Sequence, residues 1–366
     1  MKILLLANHA RRGGITTYLT VLSRELVRRG HRVLVVTGGG EAAETITAAG
    51  AEHRTLFLDT SSELNPGLWR SAAALRGWVE REGWQLVHAQ TRVAQTVAAV
   101  ALKGLRVPRV TTCHGYFKTR FFRRLLPLWG DRVIAIGRAV ERHLRDDWRL
   151  PTDRIAYVPH GVEKLYSDGE LELLRTQARK ELNALPGAVV IGALGRLSPV
   201  KGYHVLVEAM AYLKDAPVTL TLIGDGAEAS RLDRMVHDLG LGARVRRIPS
   251  VPNHHVILHA FDLFCAPSIQ EGLGLSVLDA MARGTAVVAS RVGGLPDLIR
   301  EGETGRLTEP GDPVSLAKGI RSMLEDPDAA RRMGAAGRRF VEREFTLSRM
   351  IDDTESVYKP LVAKTS

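Results

Sequence analysis

In the stretch SIQEGLGLSVLDAMARG, residues 268–284, two acids flank a glycine turn: Glu271 just before it and Asp279 within the apolar helical pattern that follows. A helix starting near Leu273 leaves Gly272, Leu273 and Gly274 with free N–H groups for an anion. The eight residues separating Glu271 from Asp279 correspond to up to about 12 Å along a helix axis, too far for two carboxylates to share one proton or one metal ion. The pair therefore reads either as an ordinary helix entrance with an incidental acid, or as two grips on one long ligand with hydroxyls at both ends.

A second stretch bears on that choice. GALGRLSPVKGYHVLVEAM places Arg196 after a strand and a glycine turn, then Lys201 and Gly202 at the opening of a helix. Two cations over a strand-to-helix loop suit a diphosphate, whose developing charge they neutralise without a metal. Their alternative is two solvated surface cations. Together the stretches describe a site for ribose hydroxyls, pyrophosphate and sugar hydroxyls, the outline of a nucleoside diphosphate sugar. Two further loops are candidates. His114 follows the strand run RVTTC, where a neutral imidazole can hydrogen-bond a sugar hydroxyl, although a lone histidine is more often structural. Gly13 and Gly14 precede a helix, as either a ligand loop or a plain turn, with no G-x-G-x-x-G to indicate a dinucleotide. The D-x-D of Asp326 and Asp328 reads as a helix entry, so no metal site and no cofactor are assigned.

These residues need a frame of alternating strands and helices. KILLLA, a polar loop, a helical pattern from Ile15 and RVLVVT form a βαβ unit, and WQLVHA, RVTTC, DRVIAI and RIAYVP continue it. Residues 163–186 are polar and lack a strand run, which places the connection between domains there. AVVIGALG, VTLTLIG, ARVRRIP, LFCAPS, TAVVAS and GRLTE then build a second open α/β half. The expected fold is α/β, with two doubly wound parallel-sheet domains facing across a cleft: residues 1–168, joined by a terminal helix over 346–366, and residues 169–345.

At 366 residues the chain exceeds one ordinary core, and 45% hydrophobic with 25% charged residues describes a globular protein. Its two cysteines, Cys113 and Cys265, form no C-x-x-C, so neither a disulfide framework nor a zinc site is indicated and a reducing cytoplasm is expected. The opening apolar run is too short for a signal-peptide core and no membrane-length apolar segment occurs. A net charge of +11 favours acidic partners without choosing among them.

The ordered set of motifs is more specific than any one of them. EGLGLSVLDAMARG resembles the E-x7-E region of the family 4 retaining glycosyltransferases of GT-B fold, and GRLSPVKG resembles that family's diphosphate loop. HARRGG resembles its amino-terminal glycine loop, CHG its active-site histidine and YVPHGVE the stretch closing its first domain. SRVGGLPDLI and TGRLTEPGD follow in the family's order, so the resemblance covers essentially the whole chain. It implies that Arg196 and Lys201 hold the donor diphosphate, Glu271 meets the donor sugar, Asp279 meets the ribose, His114 lies near the sugar and Gly14 admits the donor. It also implies a terminal helix crossing back to the first domain. Asp279 stands where the family has Glu, one methylene shorter, and His160 replaces the usual Asn.

GYFKTRFFRRLLPLWG, residues 115–130, carries Lys118, Arg120, Arg123 and Arg124 with no acid. As a helix it would set these cations opposite Phe117, Phe121 and Leu125, for an anionic membrane surface or as the solvated face of an ordinary packed helix. In the resembled family this region serves the acceptor. The expected function is thus a metal-independent retaining hexosyltransferase using a nucleotide sugar, UDP-linked, and a glycan, lipid-linked or lipopolysaccharide acceptor. It is expected in the cytoplasm or peripherally on the inner face of the plasma membrane, with no nucleic acid partner. The rival readings are a nucleotide-sugar epimerase of similar fold and a non-catalytic basic protein binding lipid or nucleic acid.

Overall fold

A computed structural model describes residues 1–11, 13–117, 128–185, 187–250 and 254–365. The chain divides into two compact units, residues 1–161 with 347–366, and residues 162–346. The first unit holds a seven-stranded sheet in the order β3-β2-β1-β4-β5-β6-β7. Its strands are β1 (Lys2–Leu6), β2 (Arg32–Thr37), β3 (Glu52–Thr55), β4 (Leu86–Ala89), β5 (Arg109–Cys113), β6 (Arg132–Ala135) and β7 (Ile155–Tyr157). The second holds six strands in the order β10-β9-β8-β11-β12-β13. These are β8 (Val189–Leu194), β9 (Val218–Ile223), β10 (Val245–Ile248), β11 (Leu263–Ala266), β12 (Ala286–Ser290) and β13 (Arg306–Thr308).

Every pairing within both sheets is parallel. Parallel strands covered by helices on both faces lose contact with water on both sides, which is why KILLL, RVLVVT and AVVAS are continuous apolar runs rather than alternating ones. In each sheet the winding reverses once, between β1 and β4 and between β8 and β11, and such reversals open a crevice at the carboxyl ends of the strands.

The terminal helix Leu347–Ala363 buries Met350, Ile351, Tyr358 and Val362 in the same core cluster as Ile3, Leu5, Leu22 and Val35, so it belongs to the first unit. Arg29 pairs with Asp352 at 2.5 Å and the largely buried His31 with Glu355 at 2.9 Å, fastening the helix to the turn before β2. The unit boundary falls at 161/162 instead of 168/169, and residues 163–186 are not a plain connection. They contain the helix Asp168–Glu181, opened by a capping box in which Ser167 and Glu170 satisfy each other's backbone N–H groups. Arg175 and Arg179, one turn apart, both grip Asp262, and Arg179 does so at 3.0 Å. Asp262 also accepts from the Val190 amide at 2.7 Å, which ties this polar helix to the second sheet. Among the described residues no helix is long and apolar enough to cross a membrane.

Beneath the carboxyl edge of the first sheet lies a buried histidine, His88, on β4. Its Nδ1 meets Tyr358 Oη at 2.5 Å and its Nε2 meets Thr112 Oγ1 at 2.7 Å. Burial, with a smaller contribution from the charge His114 would carry, lowers its pKa from 6.5 to about 3. The unfolded chain therefore takes up a proton that the folded chain refuses. His88 contributes its full stabilisation above about pH 6.5, and this falls by about 1.4 kcal/mol per pH unit as pH drops from there towards the folded value. Denaturant midpoints measured between about pH 6.5 and 5 are expected to fall with pH, and His88→Gln is expected to flatten the slope by one proton's worth. A wild-type midpoint constant over that window contradicts this.

Candidate nucleotide-sugar site

The second unit assembles its site from the loops after β8 and β11, the two strands flanking the reversal. Val200 O accepts from the Ile269 amide at 2.9 Å and the Gln270 amide at 3.1 Å, which pins one loop against the other. Gly202 lets them close: its φ is +67°, and a Cβ there would lie 1.9 Å from Pro267 O. The turn Pro199–Lys201 ends on this glycine and the helix Tyr203–Ala211 begins after it. Lys201 Nζ consequently sits 2.6 Å from Glu271 Oε2, with both side chains largely shielded from solvent. Ser268 Oγ donates to the same carboxylate oxygen at 3.2 Å. The buried Tyr203 hydroxyl has its pKa raised, chiefly by desolvation and secondarily by the charge on Glu271.

The helix after Glu271 runs from Leu275 to Ala282, two residues later than expected, because Gly274 adopts φ +102° and caps it. The amides of Val277 and Leu278 are already committed to Gly274 O, at 2.9 and 3.0 Å. Among the described residues the amides of Gly272, Leu273, Gly274, Leu275 and Ser276 have no acceptor, so five donors remain where an anion can be held. Glu271 is fixed from behind, since Gly294 N donates to its carbonyl at 3.2 Å. Gly293, at φ +60°, passes so close that a Cβ would lie 1.9 Å from that carbonyl.

Arg196 is exposed and makes no ion pair among the described residues. Asp279 lies four residues inside the helix, about 6 Å from its start, and among the described residues it makes no hydrogen bond or ion pair with Lys201 or Glu271. Its nearest charge is Arg283, 3.8 Å from its carboxylate. The buried Arg283 donates to Asp279 O at 2.6 Å, to Tyr166 Oη at 3.2 Å and to His259 Nε2 at 3.2 Å. Asp326 accepts from the Ala329 amide at 2.8 Å as the cap of the helix Pro327–Glu344, and Asp328 pairs with Arg331, so the D-x-D is a helix entry.

In the first unit, Gly13 caps the helix Gly14–Arg28 with φ +154° and Gly14 is its first residue. Thr91 bonds Asn8 across the reversal between β1 and β4. His114, just beyond β5, has its Nε2 2.9 Å from Gln90 Oε1 and the Tyr18 ring edge-on at 4.9 Å. Desolvation, then the neighbouring His160, lowers its pKa to about 3, so it is neutral. Lys118, Arg120, Arg123 and Arg124 lie outside the described residues. Ser268, Tyr203, Gly293, Arg283 and Gln90 were not singled out in the sequence. Ser268 and the SRVGG glycines had a legible signal, their closeness to Glu271 in chain or motif order, and the others had none.

A cavity of about 570 Å³ opens at the other edge of the second sheet, against Val189, Leu263 and Ala286, the first residues of β8, β11 and β12, and beside Arg175, Asp262 and Met323. It is remote from the strand ends that carry Lys201 and Glu271.

Residues 175–340 match the family described as glycosyl transferases group 1, and residues 12–164 match glycosyltransferase family 4. The D-inositol 3-phosphate glycosyltransferase of Corynebacterium efficiens is 36% identical over 362 residues, covering 88% of this chain and 84% of that protein. The enzyme of that name from Nocardia farcinica is 32% identical over 272 residues, covering 70% of this chain, which spans only 58% of that relative's length. The N-acetyl-alpha-D-glucosaminyl L-malate synthase of Bacillus anthracis is 25% identical over 361 residues, covering 94% of this chain and 93% of that protein. Among solved structures, a Rickettsia africae glycosyltransferase superposes with a TM-score of 0.86 at 20% identity, covering 99% of this chain and 98% of the other. Anabaena HepE, solved with UDP and glucose, gives 0.85 at 23% identity, covering 98% and 99%. The chain belongs to the group 1, family 4 glycosyltransferases and has their GT-B fold.

The Gly293 contact makes a local prediction. Gly293→Ala meets both a left-handed backbone and the Glu271 carbonyl, and is expected to cost more than about 2 kcal/mol in denaturant unfolding. Gly242→Ala, where an added Cβ meets nothing within 4 Å, is the control. Equal stability of the two variants contradicts the packing described.

Proposed function

We propose that this glycosyltransferase moves a hexose from a UDP-sugar to an acceptor hydroxyl, with retention of configuration and without a metal ion. The observation that carries the reading is the Lys201–Glu271 pair beside five unbonded amides at a helix entrance. Lys201, Arg196 and those amides neutralise the diphosphate as its bond to the sugar breaks, where preorganised donors act most strongly. Glu271 accepts hydrogen bonds from donor-sugar hydroxyls, Asp279 from the ribose, and a neutral His114 engages a further sugar hydroxyl. The acceptor oxygen bonds to the anomeric carbon on the face the phosphate leaves, and its proton passes to the departing phosphate oxygen. Solved complexes of Anabaena HepE with UDP, glucose and UDP-glucose support the choice of uridine.

For the acceptor, the relatives named for D-inositol 3-phosphate and L-malate support a small anionic hydroxyl compound, which a chain of net charge +11 attracts. A lipid-linked or lipopolysaccharide acceptor at an anionic membrane is the second reading, favoured by the run from Lys118 to Arg124 in the sequence. Turnover of a UDP-sugar with inositol 3-phosphate or malate, set against turnover with a lipid-linked glycan, separates the two. Conversion of donor with no acceptor present would instead indicate an epimerase.

In a thermal-shift screen of UDP-, GDP- and ADP-sugars, the UDP-sugars are expected to raise Tm most, because a ligand at 100 times its Kd stabilises by about 2.7 kcal/mol. Lys201→Ala is expected to lower turnover on the order of 100-fold or more while the circular dichroism spectrum is unchanged. Wild-type turnover in that variant removes the diphosphate assignment.

A further inference from the structure

The polar surroundings of His114 define more than its place beside a sugar. Gln90 follows β4 directly, its amide donates to Leu6 O at 2.8 Å, and its side chain is buried at 1% exposure. From that anchored position Gln90 Oε1 lies 2.9 Å from His114 Nε2. An amide oxygen only accepts, so this bond requires a proton on Nε2. A neutral imidazole has one proton, so Nδ1 is then a bare acceptor.

We infer that Gln90 is a positioning residue that locks His114 in the Nε2–H tautomer, so that the ring receives a hydrogen bond from a sugar hydroxyl at Nδ1 and donates none to the sugar. This deepens the proposed function and rests on its placement of His114 at the sugar. The consequence is a rule of specificity: the group facing Nδ1 must be a donor, and a hydroxyl qualifies where an ether or a carbonyl oxygen does not. The groups around the ring agree with a neutral state. Tyr18 presents its ring edge at 4.9 Å from the helix Gly14–Arg28, and His160, beyond β7, lies across Tyr18 at 5.5 Å. His88 on β4 and the thiol of Cys113 on β5 are both buried, and each is held in its uncharged form by that burial. No carboxylate among the described residues pairs with His114, and that is what Gln90→Glu would supply. The opposite amide orientation would place Gln90 Nε2, which has no partner in the present one, against the ring and impose the other tautomer.

Long-range ¹⁵N–¹H correlation spectra of the full chain, labelled at histidine, decide between them. The expected result at neutral pH is a protonated Nε2 and a pyridine-like Nδ1 for His114; a pyridine-like Nε2, an even mixture or an imidazolium overturns the proposal. The Gln90→Glu variant gives a second readout. Its carboxylate is expected to raise the His114 pKa by about 1–3 units, moving the acid limb of kcat up to about pH 4–6 while activity survives at higher pH. Gln90→Leu is expected to lower kcat about tenfold at every pH. An acid limb that does not move in Gln90→Glu also overturns it. If His114→Ala turns over normally while the spectra show the Nε2–H tautomer, the sugar-facing reading is what fails.

Discussion

The contact on which the second unit's chemistry depends is the close approach of two loops at the point where its sheet reverses. Two amide hydrogen bonds to Val200 O and the absence of a side chain at Gly202 bring Lys201 within 2.6 Å of Glu271. Neither charged residue is placed by its own helix alone. The parallel sheet sets β8 beside β11, the reversal leaves their carboxyl ends uncovered, and the glycines let the backbones meet there. A cation and an anion held together at such an edge compensate each other's charge before a ligand arrives. In the proposed function each exchanges that partner for a ligand group, Lys201 for a phosphate and Glu271 for a hydroxyl.

The first unit supports its histidine by a different device. Buried polar side chains, His88, Thr112, Tyr358 and Gln90, run beneath the carboxyl edge of the sheet, and a helix from the far end of the chain supplies one of them. Tyr358 and Thr112 satisfy both ring nitrogens of His88, and a buried polar group left unsatisfied is costly, so these bonds specify one placement of the terminal helix against β4 and β5. The same burial keeps His88 and His114 neutral. Fold stability at acid pH and the hydrogen-bonding character of the candidate site thus have one physical origin.

Much of this was legible in the sequence because the chemistry of parallel strands is legible. Short strand-like segments between turns mark every strand but β3, and they are apolar throughout only in the central strands, since β10 reads VRRI and β13 RLT; the residues of β3, EHRT, lie at the sheet edge, partly exposed and polar. The helix Asp168–Glu181 was passed over since only Ala178 is buried, and its attachment comes from Arg175 and Arg179 reaching Asp262, a tertiary pairing with no local signature. Arg196, Lys201, Glu271 and His114 could be named from glycine turns at strand ends. The exact start of the helix at Leu275 could not, because it depends on Gly274 taking a left-handed conformation. Nor could the attachment of Asp279 to Arg283, which is set by how Tyr166 and His259 bury that guanidinium.

The structure of the chain with a bound nucleotide sugar tests the central claim most directly. Diphosphate oxygens are expected within about 3 Å of Lys201 Nζ and of the amides between Gly272 and Ser276. A diphosphate seated instead in the cavity beside Arg175 and Asp262, at the opposite edge of the same sheet, would contradict it.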